Sequence, residues 1–151
     1  MMATEMNKSE AAEMESEQTD LLQVVIGGNE TLVHSSQIRE VVRPLPLTWV
    51  PVGPDHILGL ANIHGQIVSI SDAGKISSLP SVDGGSSART RFLVLRHPVM
   101  HVGVWVDEVK RLRNVESEAL NRARAGSDDV VYSLEIDGFM FDVLDCSKLF
   151  H

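Results

Sequence analysis

Apolar and polar positions alternate at short range along this chain, and turn-forming residues interrupt them often. Leu21-Leu22-Gln23-Val24-Val25-Ile26 is an apolar, partly β-branched run that stops at Gly27-Gly28-Asn29, and Thr31-Leu32-Val33 follows at once. Two such runs around a glycine turn predict a hairpin. Ser35-Ser36 are good N-cap residues, so 35–42 predicts one or two helical turns. Arg43-Pro44-Leu45-Pro46 ends them, because proline has no amide donor and restricts the residue before it. Residues 57–63 and 66–72 flank His64-Gly65. In the second run Ile67 shares a face with Ser69 and Ser71, opposite Val68 and Ile70. That is the period of a strand, not of a helix. Residues 77–90 are mostly turn formers and predict a mobile loop.

Phe92-Leu93-Val94-Leu95 and 102–109 predict two further strands, with His97-Pro98-Val99-Met100 as the turn between them. Residues 116–126 predict a short helix closed by Gly126, or an ordered loop. The chain then runs through 130–136, Asp137-Gly138 and 139–144. Asp-Gly between two apolar runs is a strong hairpin signal. Many short strands with frequent turns predict an all-β barrel or sandwich. No repeat of fixed period is apparent.

Composition changes this picture mainly at the N-terminus. Hydrophobic residues are 43% of the 151, enough for a core of ordinary size. The formal net charge is −8, and the six acids and one base of residues 1–20 account for −5 of it, leaving −3 for the rest. Residues 1–19 are therefore read as a disordered acidic tail, and 20–151 as the folded domain. A mildly acidic body is a poor match for nucleic acid, which is held by phosphate neutralisation. No apolar run reaches the roughly 18 residues that span a bilayer. The single cysteine, Cys146, allows no disulfide within the chain. A cytoplasmic setting without membrane insertion is the expectation.

Candidate chemistry is sparse. Gly27-Gly28 follows a strand, but no G-x-G-x-x-G or G-K-[S/T] accompanies it, and another strand follows where a nucleotide site needs a helix. His97 and His101 are four apart, yet Pro98 argues against the helix that would bring them together as metal ligands. Cys146 has no histidine in a partner motif. No catalytic residue, metal or cofactor is expected.

The order of segments resembles the CheW-like domain family across 20–151. The pieces are Arg39-Glu40-Val41, Pro51-x-x-Pro54, the stretch from Gly59 to Asp72, Gly103-Val104-Trp105-Val106-Asp107-Glu108-Val109, and Val143-Leu144-Asp145-Cys146-Ser147-Lys148-Leu149-Phe150. The resemblance implies two small five-stranded SH3-like barrels packed together, with one or two short helices and a hydrophobic groove between the barrels. It implies a non-enzymatic chemosensory adaptor that couples the cytoplasmic tip of a methyl-accepting chemoreceptor to the regulatory domain of a CheA-type histidine kinase, recruited to membrane-associated receptor arrays. A divergent module for pilus motility, development or polar localisation is the alternative. By motif position, receptor contact falls to Ile38, Glu40, Val41, Gly59, Asn62, His64 and Gly65, with Val104 and Val106 as apolar lining. Kinase contact falls to the surface of the first barrel. The sequence departs from the family pattern at His64, which stands where the family has an arginine thought to pair with the glutamate matching Glu40. Ser69 replaces a proline, and Ala73-Gly74 replace Leu-Arg.

Overall fold

A computed structural model describes residues 17–82, 85–127 and 129–149. The acidic stretch 1–16 lies outside them. Ten strands follow one another: β1 Gln18–Ile26, β2 Asn29–His34, β3 Ile38–Val42, β4 Ile57–Ile63, β5 Gln66–Ser71, β6 Arg91–Leu95, β7 Val102–Val106, β8 Glu108–Glu116, β9 Val131–Ile136 and β10 Phe139–Leu144. One α-helix, α1 Ser117–Ala125, stands between β8 and β9. Single 3₁₀ turns occupy Ser35–Gln37, Ala73–Lys75 and Cys146–Lys148.

The strands form the two expected five-stranded units. The first sheet has the order β8-β1-β2-β10-β9, and the second β3-β6-β7-β5-β4. Each order runs from edge to edge, so what bridges the seam is side-chain or helix packing, not a ladder of backbone bonds. In the first sheet α1 packs on both edge strands, β8 and β9, and sinks Leu120 into the cluster of Leu21, Leu32, Tyr132, Leu134, Phe141 and Val143. In the second sheet the segment before β4 folds back on it. Thr48 and Leu60 exchange two backbone bonds of 2.8 Å, which covers an otherwise open edge.

The pattern of the sequence explains where the core lies. Strands β2 and β10 are parallel neighbours, with Leu32 opposite Val143 and Val33 opposite Leu144. Leu32 and Val143 face the cluster under α1. Val33 and Leu144 face a larger cluster shared with Ile63, Val68, Ile70, Phe92, Leu93, Val104 and Val106 of the second sheet. Strands buried on both faces read as continuous apolar runs. The one core that spans both sheets makes them a single packed unit.

Four sequence expectations change. Residues 38–42 are strand β3, not helix, and only Ser35–Gln37 forms a helical turn. Pairing with β6 and burial of Ile38 outweigh the N-cap signal. The run 102–109 splits at Asp107, whose amide donates to Val25 O at 2.7 Å as the chain passes from the second sheet to the first. The described part of loop 77–90 is anchored, with Leu79, Val82 and Thr90 buried and Asp72 Oδ1 accepting from the Val82 amide at 3.2 Å. Strand β1 begins at Gln18, so Gln18 and Thr19 belong to the sheet and not to the tail. Thr19 pairs with Val115, and its hydroxyl meets that of Ser117 at 2.7 Å.

The two sheets also repeat one another. In each, a hairpin turns on two residues of positive φ: His64 (53°) and Gly65 (83°) join β4 to β5, and Asp137 (51°) and Gly138 (84°) join β9 to β10. Each second strand ends at an aspartate, Asp72 or Asp145, whose carboxylate caps a 3₁₀ turn. Each second strand then lies parallel to a third, β5 to β7 and β10 to β2.

Candidate functional site

The β4–β5 turn carries the residues singled out by the sequence. Both central residues have positive φ, the form whose twist matches flanking antiparallel strands. Gly65 takes that conformation without steric cost, and histidine is among the side chains that tolerate it. Asn62 Oδ1 accepts from the Gly65 amide at 3.0 Å and so locks the turn from inside. Asn62 is thereby a shaping residue as well as an exposed one.

The locked turn aims His64 at β3. His64 Nε2 lies 3.1 Å from Glu40 Oε2, and Arg39 stands 4.0 Å from the other carboxylate oxygen. Strands β3 and β4 are the two outer edges of the second sheet, so this contact ties the turn of one edge hairpin to the opposite edge strand. The imidazole is 73% exposed, so the contact faces solvent and any partner.

Beside the turn is a cleft of about 470 Å³ lined by Leu45, Pro46, Thr48, Leu60, Asn62 and Ile67. Ile67 is 57% exposed, an isoleucine on the solvent side of a strand whose Val68 and Ile70 point inward. A second cleft of about 450 Å³ shares Leu45 and Pro46 with the first and reaches Trp105. The exposed Trp49 and Val52 belong to the same 43–56 connection. A largely apolar surface of this kind, with a few polar groups at its margin, suits recognition of another protein's side chains.

Gly59 gives this surface its shape. A Cβ there would lie 2.8 Å from Leu47 Cβ and 3.0 Å from Thr48 O. Only glycine lets the 45–48 segment lie against β4 and form the cleft wall. Its place in the site is structural, since its own atoms are buried.

The sequence-predicted residues thus divide. Glu40, Asn62, His64 and Gly65 come together, and Val41 is 42% exposed on the same edge strand as Glu40. Ile38 packs into the core. Val104 and Val106 are corrected: both are 0% exposed at the centre of the second sheet, where β7 is covered on both sides, and they line no groove. Sequence reasoning missed Leu45, Pro46, Leu60 and Ile67. The available signal was Ile67, an apolar residue on the serine face of its strand.

Elsewhere, His34, Tyr132, Arg124 and Asp145 gather under the C-terminal end of α1. Among the described residues, no three His, Cys, Asp or Glu side chains converge as a metal ion would need. No described helix is long and apolar enough to cross a membrane. Burial pushes the Cys146 thiol far above its usual range, with Asp145 adding to it, so the thiolate that would attack an electrophile is disfavoured.

A model of the CheW-like domain matches residues 20–151. The chemotaxis protein CheW of Helicobacter pylori is 24% identical over 113 residues, covering 73% of this chain and 67% of that protein. The probable chemotaxis protein CheW of Rhizobium etli is 26% identical over 136 residues, covering 87% and 86%. The crystal structure of the scaffolding protein TtCheW from Thermoanaerobacter tengcongensis superposes with a TM-score of 0.73 over 88% of each chain at 18% identity. That last likeness carries the fold.

Proposed function

The chain belongs to the CheW-like domain family, a family of non-catalytic chemotaxis scaffolds, and on that premise we propose that it couples a chemoreceptor to a CheA-type histidine kinase. The observation that carries this reading is the Glu40–His64 pair standing beside an open apolar cleft. The cleft offers Leu45, Leu60 and Ile67 to the apolar side of a receptor's helical tip, as an amphipathic helix docks in a groove. Glu40, Asn62 and His64 supply the polar margin that orients it. The kinase's regulatory domain takes a different face, on the first sheet. Two faces on one packed unit let both partners be held at once, which is what an adaptor must do. The protein reaches receptor arrays at the membrane through its partners.

Calorimetry of the full chain against a receptor signalling fragment and against the kinase regulatory domain tests this. Binding to both, singly and together, is expected. Failure to bind either partner overturns it. Ile67→Glu is expected to weaken the receptor complex at least tenfold and leave the kinase complex unchanged, because Ile67 is exposed and the fold does not depend on it.

A further inference from the structure

We propose that His34 and Arg124 form an acid-released latch that holds the last turn of α1 on the first sheet. His34 closes β2 and is 6% exposed. Its Nε2 lies 3.1 Å from the Tyr132 hydroxyl of β9 and 3.0 Å from an Arg124 Nη of α1. The guanidinium also sits 6.0 Å from the centre of the Tyr132 ring. Arg124 Nε is buried with no hydrogen-bond partner, so the Nη contact is a main tether of this side chain.

The donor–acceptor logic fixes the state of the imidazole. Guanidinium is always protonated and can only donate. Nε2 must therefore be the acceptor, and the ring proton sits on Nδ1. Protonating His34 would place an imidazolium N–H against a guanidinium N–H inside the protein. The acceptor would be lost and two positive charges would face each other in a poorly solvated place.

The groups around His34 come from four elements. Strand β1 presents Leu21 opposite it and no charge. Strand β9 presents Tyr132, and α1 presents Arg124. The segment after β10 presents Asp145, which favours the charged ring, but its Oδ1 is already engaged by Gln37, the Ser147 amide and the Ser147 hydroxyl. Burial first and Arg124 second hold the His34 pKa below its usual value, against the pull of Asp145. The neutral form is thus favoured when folded, and the latch weakens as pH falls below the ordinary histidine range of about 6.5. Release would free the helix that bridges β8 and β9 and loosen Leu120 from its cluster. The adaptor would then present a different first-sheet surface in acid.

Two measurements on the full chain test this. Long-range ¹⁵N–¹H NMR at pH 7.5 is expected to show His34 as the Nδ1–H tautomer, and an Nε2–H tautomer overturns the latch without any mutation. Amide exchange of 117–125, expressed as protection relative to β6 and β7, is expected to fall at least tenfold between pH 7.5 and 5.5. In His34→Gln, which can accept but not titrate, it is expected to stay level. In Arg124→Met the His34 titration is expected to move to higher pH. PH-independent protection in the native chain, or an equal fall in His34→Gln, overturns the proposal.

Discussion

Glu40 Oε2 and His64 Nε2 meet at 3.1 Å between the two edges of the second sheet, where no backbone ladder joins them. The pair is both a seam closure and a surface feature. Its histidine sits on a backbone of positive φ, which separates what the side chain does from what the turn does.

That separation is testable. His64→Asn suits the positive φ equally well but cannot reach Glu40. It is expected to leave stability within about 1 kcal/mol, the range of an exposed pair, while weakening receptor binding. His64→Arg restores a forked, permanent donor to Glu40 and is expected to strengthen binding beyond the native chain. A double-mutant cycle with Glu40→Gln, read by calorimetry, should show coupling. Additive effects would remove Glu40–His64 from the binding surface.

The turns themselves should respond alike. Gly65 and Gly138 occupy equivalent positions with φ of 83° and 84°, and neither would bring a Cβ within 4 Å of another group. Gly65→Ala and Gly138→Ala therefore test the backbone alone. Each is expected to cost about 1–2 kcal/mol in urea unfolding, the cost of a side chain in the left-handed region. Clearly unequal costs would contradict the equivalence of the two hairpins.

Much of this architecture was legible in the sequence. The alternation in 66–72, the Gly27-Gly28 turn and the Asp137-Gly138 turn each translate directly into observed hairpins. The internal repeat was not legible, although Ile63, Gly65 and Asp72 recur as Ile136, Gly138 and Asp145 at one constant spacing. Gly65 and Gly138 meet the positive φ of the turns and Asp72 and Asp145 cap the 3₁₀ turns, whereas most positions between them carry different residues. The site was half legible. Glu40, Asn62 and His64 lie on motif positions, whereas Leu45 and Pro46 become cleft wall only because Gly59 admits their segment against β4. Such a contact depends on tertiary approach, which no local pattern records. Val104 and Val106 show the opposite failure, since an apolar residue in a strand can serve a groove or a core, and only the second covering layer decides.

Gly59→Ala should therefore damage the cleft more than the fold. Its Cβ would press on Leu47 and the Thr48 carbonyl, and the 45–48 segment has to move outward. A loss of about 1–3 kcal/mol is expected from this overpacking. Receptor affinity should fall by more than tenfold, with binding to the kinase domain kept. The Thr48 and Leu60 amides, bonded at 2.8 Å in the native chain, should exchange faster. Unchanged receptor affinity would move the docking surface away from this cleft.

Acid stability should depend on Asp145. Burial raises its pKa, but hydrogen bonds from the Ser147 hydroxyl, Gln37 and the Ser147 amide outweigh that, with Arg124 adding to them, and the net shift is downward. The folded state then binds its proton less readily than the unfolded chain. Its stabilisation is fully present above the ordinary aspartate value of about 3.9 and is lost as pH falls through the lower folded value. Gln37 makes the group matter to the whole molecule, because its amide donates to Asp145 at 2.9 Å, its carbonyl accepts from the Cys146 amide, and its own backbone leads into the second sheet. Asp145→Asn removes the charge while leaving one carbonyl oxygen for the three donors that converge on Oδ1, so each of those hydrogen bonds loses its charge assistance. It is expected to cost about 1–3 kcal/mol at pH 7. As pH falls from about 4 through the lower folded value the variant and the native chain should converge, because first the unfolded and then the folded carboxylate takes up its proton. Thermal unfolding of both chains from pH 7 downward would show it, and a gap that does not narrow at all as pH falls below about 4 would assign the loss to geometry and not to charge.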